Sequence, residues 1–502
     1  MNQELLTFYN EYKNKLNAFN LALSTMYFDT ATIAPKNGSN YRNKMVSILS
    51  GESFTHMVNP ESIKKIEALS KEKDLSDTLK KELEILLKDL DSERYVPKDV
   101  YVEFTKTIAD SEFAWHKAKE NKDYQSFKPH LIKVIEMQKK VLSYIPKDCS
   151  DYDYLLNNYQ KGMNIEKYDS FFNEIKKHLV PLIQKIKAQE KQIDDSVLFQ
   201  KFNIEDQEKF MDMILSYFKF NKEECYLTLT EHPFTSFFSA HDVRITTHYY
   251  ENNLISAIMS TIHEYGHALY GLQVDDAYEG TVLSTNIGFA MHESQSRFLE
   301  NHIGRSRAFW KVHFPKLKTM FSEQLKTIEY EDFMRMINIS HPSLIRTEAD
   351  ELTYPLHILI RYELEKEIFN GNVDYDQLDT MWNDKYEEYL GIRPSNDAEG
   401  ILQDMHWGAA NLGYFPTYAL GSAYAAQFYH QMEKELDVEA LLENHEFEVI
   451  QNWQKEHIHK WGTFKDADQI LKETCNEPFN VKYYIEYLQD KFSKVYNLEN
   501  NI

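Results

Sequence analysis

Apolar residues recur every three or four positions along much of this chain, with charged residues between them, as in amphipathic helices. Two clear runs are DTLKKELEILLKDLDSERY (77–95) and YDSFFNEIKKHLVPLIQKIKAQEKQI (168–193). A third, PLHILIRYELEKEIFNG, begins at Pro355 and ends at Gly371, residues that favour the first turn and the end of a helix. Only 15 glycines and 13 prolines interrupt 502 residues, so the sequence predicts a mainly α protein.

Stretches typical of strands are few. The best are CYLTLT (Cys225–Thr230) and DVRITTHYY (Asp242–Tyr250), which are rich in β-branched and aromatic residues. Both lie just before a histidine-containing segment, so we expect a small β-sheet beside that segment. The chain has no internal repeat, low-complexity segment or linker-like stretch. We therefore predict a single domain over residues 1–502, with residues 1 to about 100 as a helical layer.

The net charge of the chain indicates which binding partners to expect. Acidic residues outnumber basic ones, 79 against 56, which gives a formal net charge of −23. Such a surface repels nucleic acids and anionic membranes, so neither partner is expected. The three cysteines, Cys149, Cys225 and Cys475, show no CxxC spacing, which fits a reducing compartment. The polar N-terminal sequence and the lack of a long apolar run then predict a cytoplasmic protein.

The segment STIHEYGHALYGL (Ser260–Leu272) carries the first candidate chemistry. On a helix that advances about 100° per residue, His263 and His267 lie about 40° apart, with Glu264 beside them. Two imidazoles at this spacing can bind one zinc ion, and the glutamate can accept a proton from the water that zinc activates. The other side of this helix is apolar and comprises Ile255, Ile258, Ile262 and Leu269. The alternative is that both histidines are ordinary members of an amphipathic helix.

A catalytic zinc site needs a third protein ligand and an open fourth position. The downstream candidates are Asp275, Asp276, Glu279, His292, Glu293 and Glu300. The segment FAMHESQSRFLENHIG has the pattern of a second helix, which holds a ligand more rigidly than a loop does. This favours Glu293 or Glu300, but spacing alone does not choose between them.

Six motifs, in this order, resemble those of the M32 family of thermostable metallocarboxypeptidases (the carboxypeptidase Taq family). A further stretch, GYFPTYALGSAYAAQ, follows them, so that the catalytic motifs span residues 232–427. The six are HPF (His232–Phe234), DVRIT (Asp242–Thr246), HEYGH (His263–His267), HESQ (His292–Gln295), IRTEAD (Ile345–Asp350) and GILQDMHW (Gly400–Trp407). The resemblance implies a large helical, saddle-shaped fold with a deep groove, a homodimer, and removal of single residues from peptide C-termini.

The resemblance also implies residue roles. It makes Glu293 the third ligand beside His263 and His267, and Glu264 the general base. The alternative for Glu293 is a solvated helix acid paired with Arg297 at i+4. The metal is expected to be zinc, with cobalt possible, because a site of two histidines and one carboxylate accepts both.

Recognition of a free C-terminal carboxylate calls for an arginine, whose guanidinium binds a carboxylate through two hydrogen bonds. Arg346 and Arg244 are the candidates, and the family pattern favours Arg346. The alternative is a structural ion pair for each, Arg346 with Asp350 and Arg244 with Asp242.

The tetrahedral intermediate of peptide hydrolysis needs a hydrogen-bond donor in addition to the metal. His406 and Tyr418 are the candidates, with Tyr414 behind them. The alternative is that these side chains only satisfy hydrogen bonds in the core. Gln403 and Asp404 could support the site from behind.

We therefore predict a metallocarboxypeptidase that acts on peptides with a free C-terminus. One alternative is a related zinc endo-oligopeptidase or a dipeptidyl carboxypeptidase. A remote alternative is a helical peptide-binding protein with an inactive site, which the presence of Glu264 and all three proposed ligands disfavours.

Overall fold

The N-terminal part of the chain is helical. The computed structural model describes residues 2–189, 192–285 and 288–498. Before the sheet, its helices are α1 (Gln3–Thr32), α2 (Ser39–Met57), α3 (Pro60–Ser70), α4 (Asp77–Arg94), α5 (Lys98–Asn121), α6 (Tyr124–Tyr144), α7 (Asp151–Tyr159), α8 (Ile165–Lys187) and α9 (Ile204–Tyr217).

A three-stranded sheet follows α9. Its strands are β1 (Cys225–Leu229), β2 (Thr235–Ser239) and β3 (Asp242–Thr247), in the spatial order β1-β3-β2. β3 is parallel to β1 and antiparallel to β2. The predictions at 225–230 and 242–250 are confirmed over β1 and β3. β2 was not predicted, because its five residues, TSFFS, do not alternate cleanly between apolar and polar types.

The C-terminal half is again helical. Its helices are α10 (Leu254–Leu272), α11 (Val282–Thr285), α12 (Phe289–Arg297), α13 (Arg307–Met320), α14 (Ser322–Leu325), α15 (Tyr330–Met336), α16 (Tyr354–Asn370), α17 (Leu378–Leu390), α18 (Pro416–Glu435), α19 (Val438–Glu443), α20 (Phe447–His457), α21 (Ala467–Cys475) and α22 (Lys482–Tyr496). A π-helical turn, Phe298–Gly304, continues α12. The mainly α fold with a small sheet beside α10 is confirmed.

The three helices predicted from periodicity are present as α4, α8 and α16. Helix α8 ends at Lys187, before the predicted end at 193, and residues 190–191 lie outside the described part. Helix α16 ends where Gly371 adopts a left-handed conformation, with φ of 75°. Such a conformation favours glycine at the residue after a helix.

Helix α12 lies between α10 and α18, and glycines allow the close approach on both sides. A Cβ atom at Gly266 of α10 would stand 2.6 Å from the carbonyl oxygen of Gln295 and from Cα of Ser296. A Cβ atom at Gly421 of α18 would stand 2.9 Å from the carbonyl oxygen of Ala290. Any larger residue at Gly266 or Gly421 would push these backbones apart, so the site depends on both glycines.

One large hydrophobic core connects most of the helices. A separate small core joins α1, α3 and α4 and comprises Tyr9, Tyr12, Ile63, Ile66, Leu69, Leu75, Leu83, Leu86 and Leu90. The single domain over 1–502, with a helical layer to about residue 100, remains a prediction. Among the described residues, the helices are too short or too polar to cross a membrane.

Candidate metal centre

Three potential metal ligands meet where α10 passes α12. The Nε2 atoms of His263 and His267 lie 3.7 and 3.5 Å from Oε2 of Glu293. Ligand atoms bound tetrahedrally at about 2.0–2.1 Å from zinc are about 3.4 Å from one another. The spacing therefore fits an ion of this size. We call these three side chains the metal cluster.

Helix α10 places the two histidines one turn apart, as the sequence predicted. Its N-terminus is capped by the side chain of Asn253, which accepts a hydrogen bond from the backbone of Ser256. The apolar side of the helix is buried at Ile258, Ile262 and Leu269. Burial of that side fixes the rotation of α10, so the histidines face α12.

Contacts at the second ring nitrogens orient both histidines. Nδ1 of His263 lies 2.9 Å from Oε2 of Glu300 and donates to it, which leaves Nε2 free for a metal. Nδ1 of His267 contacts Nδ1 of His292. Burial, followed by the charge of His267, lowers the pKa of His292 well below its usual value. His292 is therefore neutral, and its Nδ1 can accept the proton of His267.

Arg297 connects the carboxylates on this side of the cluster. Its guanidinium donates to Oε1 of Glu293 at 2.7 Å and to Oε2 of Glu300 at 3.1 Å. Burial opposes ionisation of both acids, but Arg297 holds the pKa of Glu293 below its usual range and that of Glu300 at about 2. Both carboxylates are therefore ionised at neutral pH, and Oε2 of Glu293 faces the histidines.

Glu264 lies beside the cluster rather than in it. Its side chain is buried, and its Oε2 accepts a hydrogen bond of 2.6 Å from Oγ1 of Thr235 on β2. The same hydroxyl lies 3.1 Å from the backbone oxygen of Glu264. The small sheet thus fixes the carboxylate that follows the first histidine.

Arg346 is buried and partly paired. Its Nε and Nη2 atoms donate to Oδ1 of Asp404 at 3.1 and 2.9 Å. Its Nη1 lies 3.4 Å from the hydroxyl of Tyr354, and its guanidinium lies 5.2 Å from the ring centre of Tyr418. The ion pair is made with Asp404 and not with Asp350, whose side chain caps the backbone at Leu352 and Thr353.

His406 and Tyr418 lie together at the start of α18, with ring centres 6.4 Å apart. Burial lowers the pKa of His406 to about 4, so its imidazole is neutral at neutral pH. Burial, then the neighbouring Tyr414, raises the pKa of Tyr418 well above its usual value, and the charge of Glu293 contributes. Both side chains therefore keep a proton to donate.

The family model for Carboxypeptidase Taq (M32) metallopeptidase matches residues 8–492. The chain belongs to this family. It is similar to Carboxypeptidase 1 of Bacillus subtilis, with 39% identity over 486 residues that cover 96% of this chain and 97% of that protein. Thermostable carboxypeptidase 1 of Pyrococcus furiosus is 34% identical over 474 residues, which cover 94% and 95%. The crystal structure of an M32 carboxypeptidase from Deinococcus radiodurans R1 has a TM-score of 0.94 and 31% identity, and covers 98% and 100%.

The resemblance predicted from the six motifs is thereby confirmed. Membership of the M32 metallopeptidase family implies a bound metal ion, and the two histidines and one glutamate of the metal cluster form a donor set that suits one. The identity of the metal and the roles of the individual residues remain predictions.

The other predicted arginine of this M32 protein lies elsewhere. Arg244 is on β3, and its guanidinium pairs with Asp242 at 2.7 Å and lies over the rings of Phe28 and Phe238. Alternate residues of a strand face opposite ways. Thr247 of β3 contacts α10 through Thr261, so Arg244 is on the sheet face directed away from α10. The structure does not bring it together with the metal cluster.

Thr235, Tyr354 and Arg361 are among the contributors to the site that were not identified from the sequence. Arg361 is fully buried and donates to Oδ2 of Asp404 at 2.7 Å. A charged residue within the apolar run PLHILIRYELEKEIF was a usable signal, because a buried arginine needs a carboxylate partner. Thr235 and Tyr354 gave no such signal, since their types are common in strands and helices.

Proposed function

We propose that this M32 protein is a metallocarboxypeptidase that releases single amino acids from the C-terminus of peptides. The observation that carries the proposal is the position of Arg346 relative to the metal cluster. Its guanidinium lies against Tyr354 and Tyr418. Arg297, which binds Glu293, lies over the ring of Tyr354, 4.7 Å from its centre. Tyr354 thus contacts both the proposed carboxylate-binding arginine and the arginine that holds a proposed metal ligand.

His263, His267 and Glu293 would hold the metal, which we expect to be zinc, with cobalt possible. When bound, such an ion polarises a peptide carbonyl and lowers the pKa of water. The orientations of the three proposed ligands are fixed by contacts with Glu300, His292 and Arg297. The donor set accepts both zinc and cobalt, so the metal that supports activity is identified by metal replacement.

Glu264 serves as the general base in this proposal. Since Oε2 accepts the Thr235 hydroxyl, Oε1 is the oxygen assigned to proton transfer. It takes a proton from the attacking water and delivers it to the leaving amine. The short hydrogen bond from Thr235 supports this role, because it restrains the orientation of the Glu264 carboxylate.

Tyr418 and His406 are assigned to the developing oxyanion. Both are neutral donors at neutral pH, for the reasons given by their shifted pKa values. Tyr418 is the preferred donor, because it lies one turn before Gly421 on α18, the residue that packs directly against Glu293. Donors fixed before the reaction stabilise the charge without reorganising.

Arg346 is assigned to the terminal carboxylate of the peptide. Asp404 occupies its Nε and Nη2 atoms, so Nη1, on the Tyr354 side, is the donor that faces the rings around the cluster. Arg361 binds the other oxygen of Asp404, so Asp404 is itself held in place while it pairs with the Arg346 guanidinium. In this proposal, an anchor held in one place beside the site would select the last peptide bond for cleavage.

The test uses a peptide with a blocked N-terminus, followed by mass spectrometry. Stepwise loss of single C-terminal residues is expected, and the same peptide with a C-terminal amide should be cut poorly. Internal fragments or released dipeptides would instead indicate an endo-oligopeptidase or a dipeptidyl carboxypeptidase. Removing the metal with a chelator should abolish cleavage, and adding zinc or cobalt should restore it. Glu264→Gln should retain the metal and lose activity.

Two further expectations accompany the proposal. The three cysteines, Cys149, Cys225 and Cys475, form no disulfide in the structure, and the reducing compartment remains a prediction. The cytoplasmic location and the homodimer remain predictions. The homodimer is tested by light scattering of the purified protein, where a mass of one chain would contradict it.

A further inference from the structure

Helix α16 carries a row of buried polar side chains on the side that faces the candidate site. Tyr354, Arg361 and Glu365 lie at positions i, i+7 and i+11, and each is at most 7% exposed. Residues at this spacing share one side of a helix. Burying such groups is costly unless each is hydrogen-bonded, so their partners indicate what the row does.

Glu365 has three donors around its carboxylate. The indole Nε1 of Trp407 donates to Oε1 at 2.7 Å, and the backbone N–H of Gly413 donates to Oε2 at 2.8 Å. The hydroxyl of Tyr152, on α7, also donates to Oε2 at 2.8 Å. Glu365 itself is completely buried. These are charge-assisted hydrogen bonds in a water-excluded setting, where they are strong and geometrically specific.

The residues that α16 holds bracket the candidate catalytic side chains. We call residues 404–413 the anchored segment. Arg361 binds Asp404 at its start, and Glu365 binds Trp407 and Gly413. His406 lies between the first two attachment points, and Tyr414 follows the last one directly.

The anchored segment has no regular secondary structure to fix it. Ala410 and Gly413 have φ angles of 61° and 90°, which are left-handed conformations. A non-glycine residue such as Ala410 adopts this conformation only when its surroundings enforce it. Outside α16, Gln138 contributes one hydrogen bond of 3.0 Å to the carbonyl of Ala410. Turn hydrogen bonds within the segment, such as that from the backbone N–H of Asn411 to the carbonyl of His406 at 2.8 Å, set its local shape. Side chains bound from neighbouring helices hold that shape in place against the rest of the protein.

We propose that Glu365 is a positioning residue of this site: it fixes the anchored segment so that His406 and Tyr414 stay beside Tyr418 at the metal cluster. Glu365 touches neither the cluster nor the place assigned to the peptide, and acts through Trp407 and Gly413. The role rests on the proposed carboxypeptidase function and deepens it.

The charge state of Glu365 links this role to pH. Burial raises its pKa to about 7, against the lowering effects of Trp407, Gly413, Tyr152 and Arg361. Tyr159 of α7 also faces it electrostatically. The ionised carboxylate accepts all three donors. The three donors use three of the four lone-pair positions of the carboxylate, and a proton can take the fourth, on Oε1. Protonation then removes the negative charge that strengthens the three hydrogen bonds, so they weaken as the pH falls through about 7.

The test compares Glu365→Gln with the wild type for kcat, KM, bound metal and thermal stability. The matched control is Glu435→Gln, since Glu435 also accepts an indole N–H, from Trp453 at 2.6 Å, far from the anchored segment. We expect kcat of Glu365→Gln to fall about 10–100-fold, because a displacement of about 1 Å can cost that much. KM, bound metal and the activity of Glu435→Gln should stay unchanged.

A second variant tests the contact itself. In Glu365→Gln, the amide oxygen can replace Oε2, but the amide NH2 group then faces the indole N–H of Trp407, and two donors cannot form a hydrogen bond. Trp407→Phe removes the indole N–H and should relieve this repulsion. The double variant Glu365→Gln/Trp407→Phe should therefore lose less activity than the two single changes predict together. If Glu365→Gln does not fold, Trp407→Phe alone, which removes one donor, should still lower kcat while metal stays bound.

The pH profile gives an independent measure. The ratio of wild-type to Glu365→Gln kcat should rise between pH about 6 and about 8, because only the wild type gains an ionised carboxylate there. Taking the ratio cancels every titration that both proteins share.

The outcomes separate the two proposals. An active wild type with an unchanged kcat in Glu365→Gln, or a loss of kcat that is matched by loss of metal, overturns the positioning role alone. A wild type that cleaves none of the blocked peptides overturns the proposed function and, with it, this role.

Discussion

Gly421 lies directly against the side chain of Glu293. A Cβ atom at Gly421 would stand 2.8 Å from both Cβ and Cγ of Glu293, far inside van der Waals contact. Because Gly421 has no side chain, helix α18 can pack directly against Glu293, the third proposed metal ligand. The contact explains why a small residue is needed in the middle of a helix, where glycine otherwise costs stability.

Gly421→Ala should displace Glu293 and weaken metal binding. Overpacking of this kind costs about 1–3 kcal/mol of folding free energy, and the displaced carboxylate no longer faces His263 and His267. The measurement is zinc affinity by competition with a chromogenic chelator, together with thermal unfolding. The control is Gly51→Ala on the exposed helix α2, where a Cβ atom meets nothing within 4 Å. Equal zinc affinity in Gly421→Ala and wild type would contradict the contact.

Glu300→Gln should weaken metal binding without removing a ligand. The charge that holds Nδ1 of His263 is lost, and Arg297 loses one of its two carboxylates. Partners of metal-bound histidines contribute about 10–100-fold to affinity, so a loss of that size is expected. Glu331→Gln removes an exposed pair with Arg307 and serves as control. A chelator titration in which Glu300→Gln matches this control would reject the orienting role.

The sequence predicted those parts of the site that depend on spacing within one helix. His263 and His267 are one turn apart on any α-helix, so the pair and its orientation followed from periodicity. The third ligand was different. Glu293 and Glu300 both lie on the segment after Gly288, and the choice between them depends on how α12 crosses α10.

The structure gives a physical reason for that ambiguity. Glu293 reaches the Nε2 side of the histidines, whereas Glu300, about two turns later and inside the π-helical turn, reaches Nδ1 of His263. In the proposed site, Glu293 would be a ligand and Glu300 the support of His263. Periodicity cannot predict this, because the change from an α- to a π-turn moves Glu300 relative to Glu293.

Arg346→Ala and Arg244→Ala should have different effects on selection for a free C-terminus. Loss of charged hydrogen bonds to a carboxylate costs about 1.5–3 kcal/mol each, so kcat/KM of Arg346→Ala for free peptides should fall by about tenfold or more. Arg244 pairs with Asp242 on the other sheet face, so its replacement should leave the selection intact. The measurement is the ratio of rates on free and amidated peptides. An unchanged ratio in Arg346→Ala would reject Arg346 as the residue that binds the terminal carboxylate. A ratio near one in Arg244→Ala would assign that role to Arg244.

Asp404→Asn should destabilise the protein in a pH-dependent way. Burial opposes ionisation of Asp404, but Arg361 and Arg346 lower its pKa below the usual 3.8. Breaking a buried ion pair from one side costs about 3–5 kcal/mol, because the remaining charge is left without a partner. At neutral pH we therefore expect a loss of that size, measured by urea unfolding.

The pH dependence follows from the sign of the shift. A carboxylate with a depressed pKa in the folded state stabilises the protein fully above its unfolded pKa and progressively less below it. The difference in unfolding free energy between wild type and Asp404→Asn should thus be constant from pH about 7 to about 5 and shrink below about 4. Measurements on metal-free protein keep metal release out of the comparison. A difference that grows as the pH falls would show that Asp404 is not held ionised by the two arginines.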